Sequence, residues 1–256
     1  MSEAINRPPG RRGVPNPLFV TLEGIEGCGK SLQAQLLGEE LERRGIPFMA
    51  TREPGGTPFG LEVRQILLSR DGAPRKPLSE LLLYLADRYQ DLRERIEPAL
   101  LSGRHVICDR YHDATMAYQG FARGIGFETI DRLAEALQLR SPDLTLVLDI
   151  DIETGVQRAR QRQAGTQEDL LSRFEREELE FHHKVLKGYR LLQEREPGRL
   201  RFVDASGTPE EVFARIRSIA SGIGLLPSCR EGFTPSRKAA KIHAEAQRRR
   251  EAEEGQ

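Results

Sequence analysis

The chain reads as an α/β protein: a parallel sheet of five strands with helices on both faces. Three observations predict this. Short β-branched or apolar runs alternate with longer amphipathic stretches over roughly residues 18–220, the pattern of strands joined by helical crossovers. The run Asp143 to Ile150 is near-continuously apolar, as a parallel strand covered on both faces must be. Finally, Leu18 to Leu22 leads at once into Gly24-Ile25-Glu26-Gly27-Cys28-Gly29-Lys30-Ser31. That stretch satisfies G-x-x-x-x-G-K-[ST], with strand before and helix after, and the flanks separate it from a chance glycine-rich turn.

The chemistry follows from the residue types. Glycines let the backbone curl until several N–H groups converge on one anion. The helix starting near Lys30 adds the positive end of its dipole at the same place. Lys30 supplies a cation for the terminal phosphates, and the Ser31 hydroxyl is placed to ligate Mg²⁺. All eight residues, Gly24 to Ser31, are therefore read as an ATP-binding loop.

The remaining elements are read in order. Residues 1–17 are rich in Pro, Gly and Arg without periodicity, and read as a disordered arm. A helix is predicted from Lys30 to Arg44, with Leu32, Leu36, Leu37 and Leu41 on one face and Gly45 closing it. A strand from Ile46 to Thr51 ends in Arg52-Glu53-Pro54-Gly55-Gly56-Thr57, a turn at the sheet edge where ligands bind in this architecture. Thr57 is a plausible cap for a helix bearing Val63, Arg64, Ile66 and Leu67. Residues 70–77 read as loop.

A long helix is expected from Leu78 to Leu101. Its stretch Leu81 to Leu85 is apolar, while Tyr84, Arg88 and Asp91 recur at helical spacing beside that seam. A strand from His105 to Cys108 ends in Asp109-Arg110-Tyr111, where an acid and a base are costly unless they meet a ligand or each other. Ala117-Tyr118-Gln119-Gly120 and Arg123-Gly124 read as a loop before a helix from Phe127 to Leu139. Residues 153–195 are helical but interrupted at 164–169. His182 and His183 read as surface residues of a charged helix. A fifth strand, Leu200 to Asp204, and a helix, Pro209 to Ile219, complete the domain, and from Gly222 onward the chain reads as a solvated, partly helical tail.

Composition bounds the function. Lys+Arg and Asp+Glu both number 39, so no global field recruits nucleic acid or an anionic membrane. No apolar run approaches the ~20 residues that span a bilayer. The N-terminal arginines have no apolar segment behind them, so a cytoplasmic protein is expected. Cysteines at 28, 108 and 229 show neither metal spacing nor a disulfide framework, and Cys28 and Cys108 read as packing residues.

Taken together, Thr51 to Thr57, Asp109-Arg110-Tyr111, Ala117 to Gly120, Arg123-Gly124-Ile125 and Pro142-Asp143-Leu144-Thr145 resemble the thymidylate kinase family over residues 18–220. The resemblance implies a P-loop kinase fold with a small helical lid at 158–175, and transfer of phosphate from ATP to dTMP with Mg²⁺. It implies ATP and dTMP as partners and a homodimer, with Leu81 to Leu85 serving either as the contact or as core. Glu26 is followed by Gly27 rather than arginine, which resembles the bacterial subtype whose catalytic arginine comes from the lid; Arg160, Arg162 and Arg173 are the candidates. By position, Tyr84 and Arg88 match residues that stack on thymine and donate to its carbonyl. Arg64 and Arg110 match contacts to the dTMP phosphate, Thr115 and Gln119 match the pyrimidine edge, and Glu53 belongs to the same substrate set. Asp109 is implied as a catalytic residue, and either orients Mg²⁺ beside Ser31 or holds Arg110. Tyr84 stands where phenylalanine is commoner, and Ala114 where many relatives carry serine. Two rival readings stay open on sequence grounds: another nucleotide or nucleoside kinase of this fold, and a regulatory ATP-binding module.

Overall fold

A computed structural model of the chain describes residues 16–69, 75–164 and 179–226. Five strands, β1 (Phe19–Gly24), β2 (Phe48–Arg52), β3 (His105–Asp109), β4 (Leu144–Asp149) and β5 (Leu200–Asp204), form one sheet in the order β2-β3-β1-β4-β5. Every pairing is parallel. The crossovers are α1 (Lys30–Arg43), α2 (Pro58–Leu68), α3 (Pro77–Asp91), α4 (Glu97–Leu101), α5 (His112–Thr115), α6 (Phe127–Ala136), α7 (Ile152–Ala164) and α8 (Leu179–Arg195), and α9 (Pro209–Gly222) closes the series.

The strand assignments hold to within a few residues because each strand is a short run bounded by turn residues, near-continuously apolar in β1 and β4 and mixed with charged residues in the edge strands β2 and β5. β1 is buried at all six positions, as the middle strand of a sheet covered on both faces should be. Register brings the strand ends level: Leu22 pairs Asp109, Arg52 pairs Asp109, and Asp149 pairs Asp204. One edge of the sheet therefore presents the loops after all five strands together. Thr57 caps α2, its hydroxyl accepting the Gly60 N–H at 2.9 Å, with Pro58 in the first turn.

A polar layer crosses the sheet below this edge. Arg199 donates to both Asp113 carboxylate oxygens, at 2.7 and 2.8 Å, and to the Thr145 hydroxyl at 2.9 Å. Thr145 in turn meets Asp113 at 2.6 Å and Thr21 at 2.9 Å. Each buried group has a partner, which is the condition for polar groups to lie inside a core.

Four expectations are corrected. Ala117 to Gly120 is not a loop: α5 runs into a π-helical segment, Met116–Ala122, packed against α8. Gly188 of α8 lies so close to Ala117 that an added Cβ would sit 3.0 Å from its Cα, so burial against α8 overrides the local glycine signal. The helix expected over 78–101 has a second π turn, Leu92–Ile96, between α3 and α4. Leu32 is exposed rather than on the core face, because five positions back from Leu37 lies about 140° around the helix. The tail begins later than Gly222, since Leu225 and Leu226 are fully buried. The arm 1–15, the loop 70–74 and the tail from 227 fall outside the described residues.

Candidate active site

The loop after β1 is shaped by backbone contact. Gly27 has φ +71°, and a Cβ there would lie 1.9 Å from the Gly155 carbonyl oxygen on α7. Only glycine lets the loop seat against α7 in this way. α1 begins after Gly29 with no side-chain cap, so its first N–H groups are left for an anion. Lys30 folds back over the loop. Its Nζ donates to the carbonyls of Gly24 and Ile25 at 3.2 and 2.6 Å, and lies 3.4 Å from Cys28 Sγ.

Ser31 and Asp109 meet across the loop, the serine hydroxyl donating to Asp109 Oδ2 at 2.5 Å. Asp109 thus faces Ser31, while the Arg110 guanidinium meets Glu26 and Tyr118. Two oxygen donors side by side at the mouth of a phosphate loop fit a hard cation such as Mg²⁺.

Arg110 has a left-handed backbone, φ 70°, an uncommon conformation for a side chain of this size. The turn points its guanidinium back to the loop. Nη2 donates to Glu26 at 2.8 Å and to the Tyr118 hydroxyl at 3.1 Å. Tyr118 donates to Glu26 Oε2 at 2.9 Å, and His182 Nδ1 lies 3.5 Å from the same oxygen. Burial works against ionisation of Glu26, but Arg110, Lys30 and His182 together hold its pKa below the usual carboxylate value. His182 is fully buried, a correction to its reading as a surface residue; only His183 is exposed.

On the other side, Arg88 is 1% exposed and has three partners. Nε donates to Glu53 at 2.7 Å, Nη1 to the Thr115 hydroxyl at 2.8 Å, and Nη2 to the Tyr111 carbonyl at 3.0 Å. Arg64 donates to the Pro54 carbonyl at 3.0 Å, and burial with Arg52 and Arg110 nearby lowers its pKa. Tyr84 lies within the electrostatic reach of Arg110, Glu26, Arg64 and Arg88 at once, and burial pushes its pKa up. Gln119 donates to Glu80 at 2.9 Å. Cys28 and Cys108 are buried as expected. Arg160 and Arg162 lie on α7 without described side chains, and Arg173 lies outside the described residues.

Sequence reasoning missed Glu23, Glu80, Tyr118 and His182. Glu23 lies at the end of β1, fully buried, accepting the Tyr111 N–H at 2.7 Å and the Tyr189 hydroxyl at 2.9 Å. An acid inside an apolar strand run was the available signal. Burial pushes its carboxyl up to about 7, against the pull of Arg110. The folded state thus keeps a proton that the unfolded chain releases near 4.5. Stability from this group is present at low pH and is lost as pH rises from 4.5 to about 7. The isosteric Glu23→Gln variant should therefore gain on the wild type across that window by up to about 1.4 kcal/mol per pH unit, then run parallel above it, in denaturant titrations at several pH values.

The sequence model of the Thymidylate kinase family matches residues 22–216, a span that contains every described residue of this site. The chain belongs to the thymidylate kinase family. It is 47% identical to a thymidylate kinase of Trichlorobacter lovleyi over 200 residues, 78% of this chain and 94% of that one. A thymidylate kinase of Syntrophotalea carbinolica is likewise 47% identical over 213 residues, covering 82% and 97%. The solved thymidylate kinase of Ehrlichia chaffeensis superposes with a TM-score of 0.63 at 29% identity, covering 81% of this chain and all of that one. With family membership goes the activity of a thymidylate kinase, a phosphotransferase that converts dTMP to dTDP.

Proposed function

We propose that this chain moves the γ-phosphoryl group of ATP onto dTMP between two positively charged grips on one sheet edge. The observation that carries this reading is the Arg110–Glu26 pair at 2.8 Å, which ties an arginine from the end of β3 to the loop carrying Lys30. A regulatory ATP-binding module has no use for this second cation beside its phosphate loop.

The donor is held by the loop N–H groups and Lys30. Ser31 and Asp109 would hold Mg²⁺, which offsets phosphate charge when bound. Arg110 and Arg64 hold the acceptor phosphate, where a guanidinium fork matches a tetrahedral oxyanion. Tyr84 stacks on the base, Arg88 and Gln119 read its edge, and Glu53 and Thr115 fix Arg88. Bringing two polyanions into line is the work to be done, and positioning plus charge neutralisation does it. One of Arg160, Arg162 or Arg173 completes the site from the lid. Alanine at that one position should lower kcat by about 10³-fold or more, while the other two change it little.

The base is tested by a coupled assay for ADP with ATP, Mg²⁺ and dTMP, dUMP, dCMP or no acceptor. Rapid turnover with dTMP and background rates without acceptor are expected; equal rates with and without acceptor would reject a kinase role for these residues. We also propose a homodimer through α2 and α3. Leu61, Ile66 and Leu82 there are each about half exposed, which supports this reading, whereas Leu81 and Leu85 are core. Sedimentation should show a dimer that Leu82→Glu converts to monomer.

A further inference from the structure

Glu80, Tyr84 and Arg88 follow one another at four-residue intervals on α3, so they share one face. Thr115 and Gln119, also four apart, oppose them from α5 and the π-helical segment after it. Two rungs connect the faces: Arg88 to Thr115 at 2.8 Å, and Gln119 Nε2 to Glu80 Oε1 at 2.9 Å. All four rung residues are 2% exposed or less. Tyr84 lies between the rungs along α3.

We propose that Glu80 is a positioning residue for base specificity, because it fixes which end of the Gln119 amide faces the nucleotide. This rests on the reading that Gln119 lies at the base edge. In this pair the Glu80 carboxyl oxygen is the acceptor, while a primary amide offers a donor at one end and an acceptor at the other. Opposite Glu80 the amide nitrogen must turn inward, and the carbonyl oxygen turns away from Glu80. That oxygen accepts the N3–H of thymine or uracil. Cytosine has an unprotonated N3, so the same geometry sets acceptor against acceptor and leaves both unpaired. An unpinned glutamine would rotate its amide and serve either base. Discrimination against cytosine is thus built outside the pocket, by a residue that touches no substrate.

The test is kcat/KM for dTMP and dCMP on wild type, Glu80→Gln, Glu80→Asp and Gln119→Ala, with the thermal midpoint of each. Glutamine at 80 is isosteric and preserves a hydrogen bond in either direction, so Gln119 becomes free to flip. The dTMP:dCMP ratio should fall about tenfold or more in Glu80→Gln, through opposite changes in the two KM values and little change in kcat. Glu80→Asp keeps a carboxyl partner and should retain most of the discrimination. If Glu80→Asp loses as much as Glu80→Gln, position 80 acts through packing alone and the proposal is overturned. If Gln119→Ala lowers the ratio and Glu80→Gln leaves it at the wild-type value, the base-edge reading stands and the pinning role is rejected. An unchanged ratio in Gln119→Ala removes Gln119 from the base edge, and the proposal falls with it.

Discussion

Replacing Arg88 by alanine is expected to lower kcat/KM for dTMP by about 10²- to 10³-fold, the scale of a lost charge-assisted contact in a closed site. ATP affinity, measured by calorimetry, should stay within about threefold, because Lys30 and its loop share no hydrogen-bond partner with Arg88. The same change should also weaken the fold. Burial, with Asp87 and Asp91 nearby, pushes the Glu53 carboxyl well above the usual carboxylate range, and Arg88 is the partner that pulls against that shift. Removing one member of such a buried pair costs about 3–5 kcal/mol, a fall of about 10 °C in the melting midpoint for a domain of this size. The two effects separate in the double variant Glu53→Gln/Arg88→Met, where neither member of the pair can carry a charge. It should regain most of the stability and none of the dTMP affinity. Recovery of both would mean that Arg88 only supports the fold.

The second large effect is at Lys30. Its Nζ is held by two loop carbonyls and the residue is 8% exposed, so the cation is fixed at the loop by the protein itself. Lys30→Ala should reduce kcat by about 10²–10³-fold or more, since a preorganised charge at the migrating phosphoryl group is lost. The fold should survive, because the two carbonyls face a loop that water can reach once the side chain is gone. Arginine should not rescue activity: its planar fork is bulkier than an ammonium and does not fit between those carbonyls. Steady-state rates with a circular dichroism melt on each variant decide the matter. More than a tenth of wild-type turnover in the alanine variant would remove Lys30 from the chemistry.

How far the sequence was legible differs by residue. The loop from Gly24 to Ser31 was readable because all its determinants are contiguous: the strand that feeds it, the glycines that bend it and the helix that starts from it. Arg64, Arg88, Arg110, Thr115 and Gln119 were placed by a resemblance of motifs, and the structure gathers their elements at one edge. Their partners were not readable. Arg110 reaches Glu26 across 84 positions of chain, and Gln119 reaches Glu80 across 39. His182 was misread because a helix with charged residues on either side gives no sign of which turn is covered. Its ring lies against Glu26 from the phosphate loop, a neighbour that no local spacing marks. The segment after α5 was misread for a different reason. Its π turn inserts a residue into the helical phase, so a 3.6-residue period cannot find the buried face.

By itself, then, the sequence determined the sheet, the phosphate loop and the charge types available at its edge, because these follow from signals within single short stretches. Only the tertiary structure decided who holds whom: Asp109 with Ser31, Arg110 with Glu26, Glu80 with Gln119. The physical reason is that hydrogen bonding in a buried site depends on distances of a fraction of an ångström between segments far apart in the chain. Those distances are fixed by helix packing and strand register, not by any local preference of the residues involved.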